Sequence, residues 1–234
     1  RGKTDAGDAE AICEAVTRPT MRFVAIKSAE QQSILALHRT RGLLIRQRTQ
    51  SVNMIRAQLA EFGIVVAKGI QHALKLVDQV LAGAVPDIPA LAREVVLALA
   101  GHLRDLQARI AGFDKALAAS ARDDAVVRRL RTIPGIGIIT ASALAASVAD
   151  PGQFTSSRQF AAWLGLTPRA ESSGGKQRMG RISKMGDRYL SRLLVNGMTA
   201  QLRWARQRPD AFPWVTALLH RRPAKLVAVA MANK

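Results

Sequence analysis

Two adjacent serines, Ser172 and Ser173, stand before two glycines and a series of basic residues in the segment 169–190, RAESSGGKQRMGRISKMGDRYL. A serine hydroxyl can attack a phosphodiester when nearby cations stabilise the charge that develops on phosphorus. Glycines prevent a regular helix here and let the backbone approach a ligand. Five side chains supply donors for phosphate oxygens: Lys176, Arg178, Arg181, Lys184 and Arg188. Serines beside glycines are also common in solvated loops, so the residues alone leave both a nucleophile and a basic loop open.

Two carboxylates near the start of the sequence form a second candidate site. Asp5 and Asp8 are three residues apart in the Ala-rich segment KTDAGDAEAICEAVTR, and on a helix this spacing turns both to one face. Such a pair can contribute oxygen ligands to Mg²⁺, as in nucleases that hold the metal on a scissile phosphate. Two carboxylates rarely suffice for a metal, and an acidic first turn that complements the helix dipole is an equally good interpretation.

A third motif is the pair Gly135 and Gly137, which follows Pro134 and precedes an Ala-rich helical segment in LRTIPGIGIITASALAASVAD. A tight turn there exposes backbone N–H groups at a helix N-terminus, where they can hold a phosphate. The pattern has the form of a helix-hairpin-helix element, which grips a DNA backbone without reading bases. The alternative is that the glycines only allow a close turn between two packed helices.

The remaining reactive residues do not form a recognisable site. The single cysteine, Cys13, excludes an internal disulfide and fits a reducing compartment. Tyr189 has the hydroxyl that a tyrosine recombinase uses, but its apolar helical pattern with Leu190 and Leu193 favours core packing. The histidines show no metal-ligand clustering and are assigned to the surface or the core: His38, His72, His102 and His220.

Two long helices must position these motifs. The first runs from Ser28, a good N-cap, to Phe62, with Gly63 as its C′ residue. The apolar residues of its second half, and those of a helix after the connection GAVPDIP, follow three- and four-residue steps. These residues are Val52, Ile55, Leu59 and Phe62, then Val96, Leu99, Leu103, Leu106, Ile110, Phe113 and Leu117. The pattern predicts an antiparallel helical hairpin, or a hairpin that pairs with another protomer.

The charge points to a polyanionic partner. Thirty-five Lys and Arg face 17 Asp and Glu, a formal charge of +18, and neutralising phosphates releases counterions. Nucleic acid is the first candidate. A membrane surface is weaker, because the basic residues are spread over several segments and no long apolar run lacks charges. The chain shows no signal peptide, opens with Arg1 and ends in an apolar helical pattern, so we expect a cytoplasmic fragment, cut at both ends.

Four ordered segments give the sequence a family resemblance: KTDAGDAEAI, LRTIPGIGIITASALAA, FAAWLGLTPR and SSGGKQRMGRISKMGDRYLSRLL. They resemble the DEDD-type transposases of bacterial insertion sequences, which are bridge-RNA-guided recombinases, with the Piv-type DNA invertases as relatives. The resemblance implies a mainly α fold in three parts. Residues 1–27 would be the remnant of a resolvase-like (RNase H-like) domain, 28–122 an antiparallel coiled-coil hairpin, and 123–234 a helical C-terminal domain with the helix-hairpin-helix-like element and the serine loop.

The resemblance also implies site residues and partners. It places Asp5 and Asp8 at the last two of four acidic positions for a divalent metal, Mg²⁺; the first two are absent, so the fragment alone is expected to be inactive. When the family motif is aligned forward from Pro168, its nucleophile position falls on Ser173, and we prefer this alignment. When it is aligned backward from RISKMG, the position falls on Ser172. The implied partners are DNA, a guide RNA and further copies of the chain, as a dimer or tetramer through the coiled coil, in association with the bacterial nucleoid.

The implied reaction joins the serine to a DNA strand as a phosphoserine, which a DNA hydroxyl then resolves. Two other functions are consistent with the motifs. One is a non-catalytic nucleic-acid-binding protein that grips the backbone through Gly135 and Gly137. The other is a metal-only nuclease related to resolvases, in which Asp5 and Asp8 act and the serines do not.

Overall fold

The computed structural model describes residues 4–21, 23–84, 88–171, 175–176 and 178–234, and this part of the chain is mainly helical, as the sequence predicts. The helices are α1 (Asp5–Thr17), α2 (Ala29–Ala60), α3 (Ile70–Leu81), α4 (Ala90–Ser120), α5 (Ala125–Leu130), α6 (Ile138–Ser147), α7 (Ser157–Trp163), α8 (Arg188–Gln207), α9 (Pro213–Leu219) and α10 (Ala224–Asn233). Two short strands, β1 (Pro168–Ala170) and β2 (Met179–Ile182), form an antiparallel ribbon. Short 3₁₀ turns cover Pro151–Gln153 and Pro209–Ala211.

Helix α2 begins and ends where its sequence predicts. Ser28 caps it with a capping box: its Oγ accepts the Gln31 N–H at 3.2 Å, and the Gln31 side chain accepts the Ser28 N–H at 3.0 Å. At the other end the Ile64 N–H donates to the Leu59 carbonyl and the Gly63 N–H to the Ala60 carbonyl. Gly63 has φ +75°, so these bonds form a Schellman motif with Gly63 as the C′ residue.

Helices α2 and α4 pack antiparallel, because residues early in α2 meet residues late in α4. Arg41 forms an ion pair with Asp114, and Arg48 donates to the Gln107 side chain at 3.0 Å. The predicted apolar steps are largely buried, among them Val52, Ile55, Leu59, Val96, Leu103, Leu106, Ile110 and Leu117. Whether this hairpin is a coiled coil that joins protomers stays a prediction.

Helix α3 is an element that the sequence analysis missed. Ala73, Val77 and Val80 of α3 are buried in one apolar cluster with Leu59 of α2 and Ala100 of α4. From the sequence, only a connection is predicted before α4. Part of that connection, residues 85–87, lies outside the described residues.

The C-terminal part is organised around α8. Leu190 and Leu194 of α8 pack with Leu144, Leu164 and Leu166 in one apolar cluster. The second half of α8 forms another cluster, with α9 and α10, whose buried members are Met198, Leu202, Ala205, Val215, Val227 and Ala228. In addition α6 contacts both α2 and α4, so the C-terminal part packs directly against the helical hairpin. The boundary predicted at residues 122–123 stays a prediction.

No helix within the described ranges has both the length and the apolar character required to cross a bilayer.

Candidate nucleic-acid interface

The β1–β2 ribbon carries the segment that contains the candidate serines. Pro168 pairs with Ile182 and Ala170 with Met179, with a bulge between the two pairs. Beyond Ala170, the Glu171 N–H donates to the Arg178 carbonyl at 2.8 Å, which closes the loop between them. Ser172, Ser173, Gly174 and Gln177 lie outside the described residues. In the sequence, both serines fall between β1 and β2.

The five cations predicted to bind phosphate lie on or next to this ribbon. Their side chains are all exposed: Lys176, Arg178, Arg181, Lys184 and Arg188. Lys176 and Arg178 belong to the loop, Arg181 to β2, and Arg188 is the first residue of α8. Exposed guanidinium and ammonium groups remain accessible to a polyanion, so the arrangement is consistent with backbone binding.

Glycine contacts fix the base of the ribbon against the helices. Gly165, which follows α7, has φ +72°, and a Cβ there would lie 2.8 Å from the Gly186 N atom. The Lys184 N–H donates to the Gly165 carbonyl at 3.0 Å, and the Ser183 N–H to the Thr167 carbonyl at 2.9 Å. Any side chain at either glycine would push these two backbone segments apart. The ribbon is therefore tied to the start of α8.

The Gly135 and Gly137 turn joins α5 to α6, but its two glycines have different surroundings. Gly135 has φ +88°, and a Cβ there would lie 3.1 Å from the carbonyl oxygen of Gly197 in α8. Gly137 is the N-cap of α6 and has open space around it. The packing alternative thus accounts for Gly135. Backbone binding at this turn, and its assignment as a helix-hairpin-helix element, stay predictions.

Asp5 and Asp8 lie in the first turn of α1, which Thr4 caps through a bond from the Gly7 N–H at 3.2 Å. Both carboxylates are exposed, as the helix-dipole interpretation expects. Among the described residues, no group of three or more His, Cys, Asp or Glu side chains could hold a metal ion. The two carboxylates therefore do not by themselves fit a divalent metal.

A buried polar junction joins α2, α6 and α8. The ring of His38 is 1% exposed; its Nδ1 lies 3.0 Å from the Tyr189 hydroxyl and its Nε2 3.2 Å from the Ser142 Oγ. Burial, and secondarily the charge of Arg41, lowers the pKa of His38 to about 4. Burial also raises the pKa of the Tyr189 phenol. His38 is thus a neutral core residue at pH 7, whereas the other three histidines are exposed.

The sequence predicts core packing for Tyr189 and leaves His38 on the surface or in the core, with no connection between the two. They are 151 positions apart, so no local spacing could reveal the pair. The only signal was chemical: a buried Tyr hydroxyl and a buried imidazole each need a hydrogen-bond partner.

Two family models match the sequence. Residues 127–212 match the one described as Transposase IS116/IS110/IS902 family, and residues 1–64 match the DEDD transposase model of IS110 elements, described as Transposase. The first range contains the β1–β2 ribbon and all of α8. The second contains α1 and all of α2.

Three curated proteins show how far the similarity extends. The chain is 48% identical to the "Probable family 20 transposase" of Pseudomonas aeruginosa, over 99% of the chain and 69% of that protein. It is 41% identical to the transposase for insertion sequence element IS1328 of Yersinia enterocolitica, over 99% of the chain and 69% of the relative. With the transposase for insertion sequence element IS1111A of Coxiella burnetii it shares 37% identity, over 99% of the chain and 64% of the relative.

The chain spans about two thirds of the length of these relatives. Similarity at this level over nearly the whole chain places it in a class of DNA-mobilising proteins. The chain belongs to the IS116/IS110/IS902 family of insertion-sequence transposases.

Proposed function

We propose that the chain takes part in cutting and rejoining DNA for an insertion sequence, with a serine of the β1–β2 loop as the nucleophile. One observation carries the proposal: within the range matched by the transposase family, an antiparallel ribbon bears exposed cations on and next to its strands, and the two serines lie in the sequence between those strands. Ser173 is the preferred nucleophile and Ser172 the alternative.

In the proposed reaction the serine Oγ attacks the phosphorus of a DNA phosphodiester. An Oγ–P bond forms, a P–O bond of the DNA backbone breaks, and the released DNA oxygen takes up a proton as a hydroxyl. A hydroxyl of a second DNA end then attacks the phosphoserine and releases the serine. The number of phosphodiester bonds is unchanged, so the exchange needs no external energy source.

The cations of the ribbon would hold the DNA and compensate charge. Arg181 lies in β2, and Lys184 follows that strand. A guanidinium group such as that of Arg181 can donate two hydrogen bonds to the oxygens of one phosphate. Side chains that bind phosphate position the nucleic acid but do not read sequence. The selection of DNA targets would then depend on another component, for which we propose a guide RNA.

Asp5 and Asp8 are proposed as two ligands of a divalent metal, Mg²⁺, whose other ligands are not among the described residues. The match of residues 1–64 to a DEDD transposase model supports this assignment. No step is assigned to the metal, because the two carboxylates alone do not complete a site. Assembly into a dimer or tetramer through α2 and α4 is likewise proposed.

The decisive experiment tests whether a covalent protein–DNA adduct forms. The transposase is incubated with DNA that carries the ends of its element, with Mg²⁺ and RNA transcribed from the element, and then denatured. We expect an adduct that is lost in Ser173→Ala and retained in Ser33→Ala, a matched change at an exposed serine of α2. Loss in Ser172→Ala alone would reassign the nucleophile.

Two other outcomes would contradict the proposal. Cleaved DNA without an adduct would favour a metal-only nuclease, and DNA binding without cleavage would favour a non-catalytic binding protein. A separate binding assay tests the cations. Arg181→Ala should weaken binding to all DNA sequences alike and should lower the slope of log K against log salt by about 1, as expected for the loss of one phosphate contact. A change in target preference would show that Arg181 reads bases.

A further inference from the structure

A basic cleft lies between α2 and α8. Its volume is about 400 Å³, within the range of roughly 300–1,000 Å³ that ligand pockets occupy. Five cations and one carboxylate line it: Lys27, Arg39, Arg46, Arg188, Arg192 and Asp187. Of these, only Arg188 was singled out by the sequence analysis as a phosphate ligand.

The positive charge of this α2–α8 cleft exceeds the single negative charge that Asp187 contributes to its lining. The Asp187 Oδ1 accepts the N–H groups of Tyr189 and Leu190, at 2.8 and 3.0 Å, and so caps α8. In the part of the chain that the structure describes, ion pairs engage other arginines, and none involves the five cleft cations. Five positive charges and one negative charge leave an excess of positive charge, and an anion that enters the cleft would reduce the repulsion among the cations.

The shape of the cleft follows from one glycine. Arg39, Gly42 and Arg46 are spaced by three and four residues, so they share one face of α2. A Cβ on Gly42 would lie 3.9 Å from the Arg46 Nη1 and 4.0 Å from the Tyr189 Cε2. The missing side chain leaves space between the two arginines, opposite Arg188 and Arg192 of α8.

The buried contact between His38 and Tyr189 holds α2 and α8, the two helices that line the cleft, in a fixed relative position. His38 precedes Arg39 on α2 and bonds Tyr189, which follows Arg188 on α8. Arg192 lies over the Tyr189 ring, 5.4 Å from its centroid. Donors that are fixed before binding lose less conformational entropy on binding than free side chains do. The His38–Tyr189 contact therefore fixes the two helices that carry the cations, and Arg192 is the cation whose own side chain contacts Tyr189.

We propose that the α2–α8 cleft binds a sugar–phosphate segment of a nucleic-acid strand. Guanidinium groups from two walls can grip the oxygens of one phosphate, and the volume exceeds what a single phosphate ion fills. Apolar surface from Leu35 and Trp163 lines the same cleft and suits the sugar. Since only five residues separate the end of β2 from the start of α8, a strand held here would lie on the helix that follows the ribbon. This inference rests on the proposed function.

The test compares a variant that removes positive charge from the cleft with a variant that fills the cleft. Binding of short single-stranded DNA and RNA of the same sequence is measured by fluorescence anisotropy across a series of salt concentrations. Arg39→Gln/Arg46→Gln should weaken binding about tenfold and lower the slope of log K against log salt by about 1.4, or two contacts at about 0.7 each. Its matched control is Arg109→Gln/Lys115→Gln, which removes two exposed cations from α4 and should change both quantities much less.

The second comparison uses Gly42→Leu, which fills the cleft with a side chain and leaves all five cations in place. It should weaken binding, whereas Gly112→Leu, a glycine of α4 with open space around it, should not. Circular dichroism checks that each variant remains helical. A loss confined to the DNA or to the RNA arm supports the cleft and identifies the strand it holds.

Two results would overturn the inference, and they are distinguishable. If the wild-type chain binds nucleic acid and the cleft variants stay within about twofold of their matched controls, binding is diffuse and the cleft is not a site, while the proposed function stands. If the wild-type chain binds neither DNA nor RNA, the proposed function fails and this inference fails with it.

Discussion

The two halves of α2 have the same backbone conformation but different surroundings. The second half buries Val52, Ile55 and Leu59 in an apolar cluster with α3 and α4. The first half buries His38 in hydrogen bonds with α6 and α8, and exposes Arg39 beside Gly42. Apolar contacts stabilise but are not directional, whereas hydrogen bonds fix an orientation. The comparison suggests that one half mainly stabilises the protein and the other mainly positions charged side chains.

The largest effect is expected from the apolar half. Leu59 is fully buried, and Leu59→Ala removes its contacts and leaves a cavity, at a cost of about 2–5 kcal/mol in the free energy of unfolding. Urea denaturation measures the change. Leu43→Ala is the control, because Leu43 lies on the same helix and is 45% exposed. Equal losses at the two positions would show that the cluster around Leu59 contributes no special stability.

The polar half should respond to pH. The folded state holds the pKa of His38 at about 4, against 6.5 for a free imidazole, so the unfolded chain binds more protons between these values. Stability is therefore full above pH 6.5 and is lost as the pH falls towards 4, by an amount on the order of 3 kcal/mol. Burial is the larger cause of this low pKa, and the charge of Arg41 is the smaller one.

The measurement is the difference in unfolding free energy between the wild-type chain and His38→Gln, taken from pH 7 to pH 4. Subtraction removes the titration of other groups in this range. A difference that does not change with pH would mean that His38 is protonated as easily in the folded chain as in the unfolded chain.

A smaller loss is expected from the partner of His38. Tyr189→Phe keeps the ring but removes the hydroxyl that lies 3.0 Å from Nδ1. Leaving a buried polar atom without a partner costs about 1–3 kcal/mol. Thr199→Val serves as the control on the same helix, since Thr199 is exposed and its hydroxyl bonds only the Val195 carbonyl of its own helix. If Tyr189→Phe unfolds no more easily than this control, the junction does not hold α2 against α8.

The apolar half was also the half that could be predicted from sequence. Steps of three and four residues and the caps Ser28 and Gly63 are local signals, and the structure has both caps in place. Helix α3 has a similar apolar period but begins at Gly69 without a side-chain cap, so its start carried no signal. The β1–β2 ribbon has three and four residues in its strands, too few for an alternating pattern to stand out among basic residues.

The candidate site could be predicted only in part. The basic segment and its serines were found because cations and glycines are adjacent in sequence. The α2–α8 cleft was not found, because its walls come from residues far apart in the chain, and Arg39, Gly42 and Arg46 by themselves look like an ordinary solvated helix face. Likewise the Gly165 and Gly186 contact depends on tertiary packing, which no spacing rule encodes.

The smallest expected effect is at Gly42, where a substitution should increase stability. Glycine within a helix costs about 0.5–1 kcal/mol relative to alanine, and a Cβ at Gly42 meets nothing closer than 3.9 Å. Gly42→Ala should therefore raise the free energy of unfolding by about this amount, as should Gly112→Ala in α4, measured by urea denaturation. A loss at Gly42 alone would mean that Tyr189 and Arg46 approach more closely in solution and that the cleft is closed. A gain would show that the glycine is unfavourable for stability, as expected of a residue that keeps space open for a ligand.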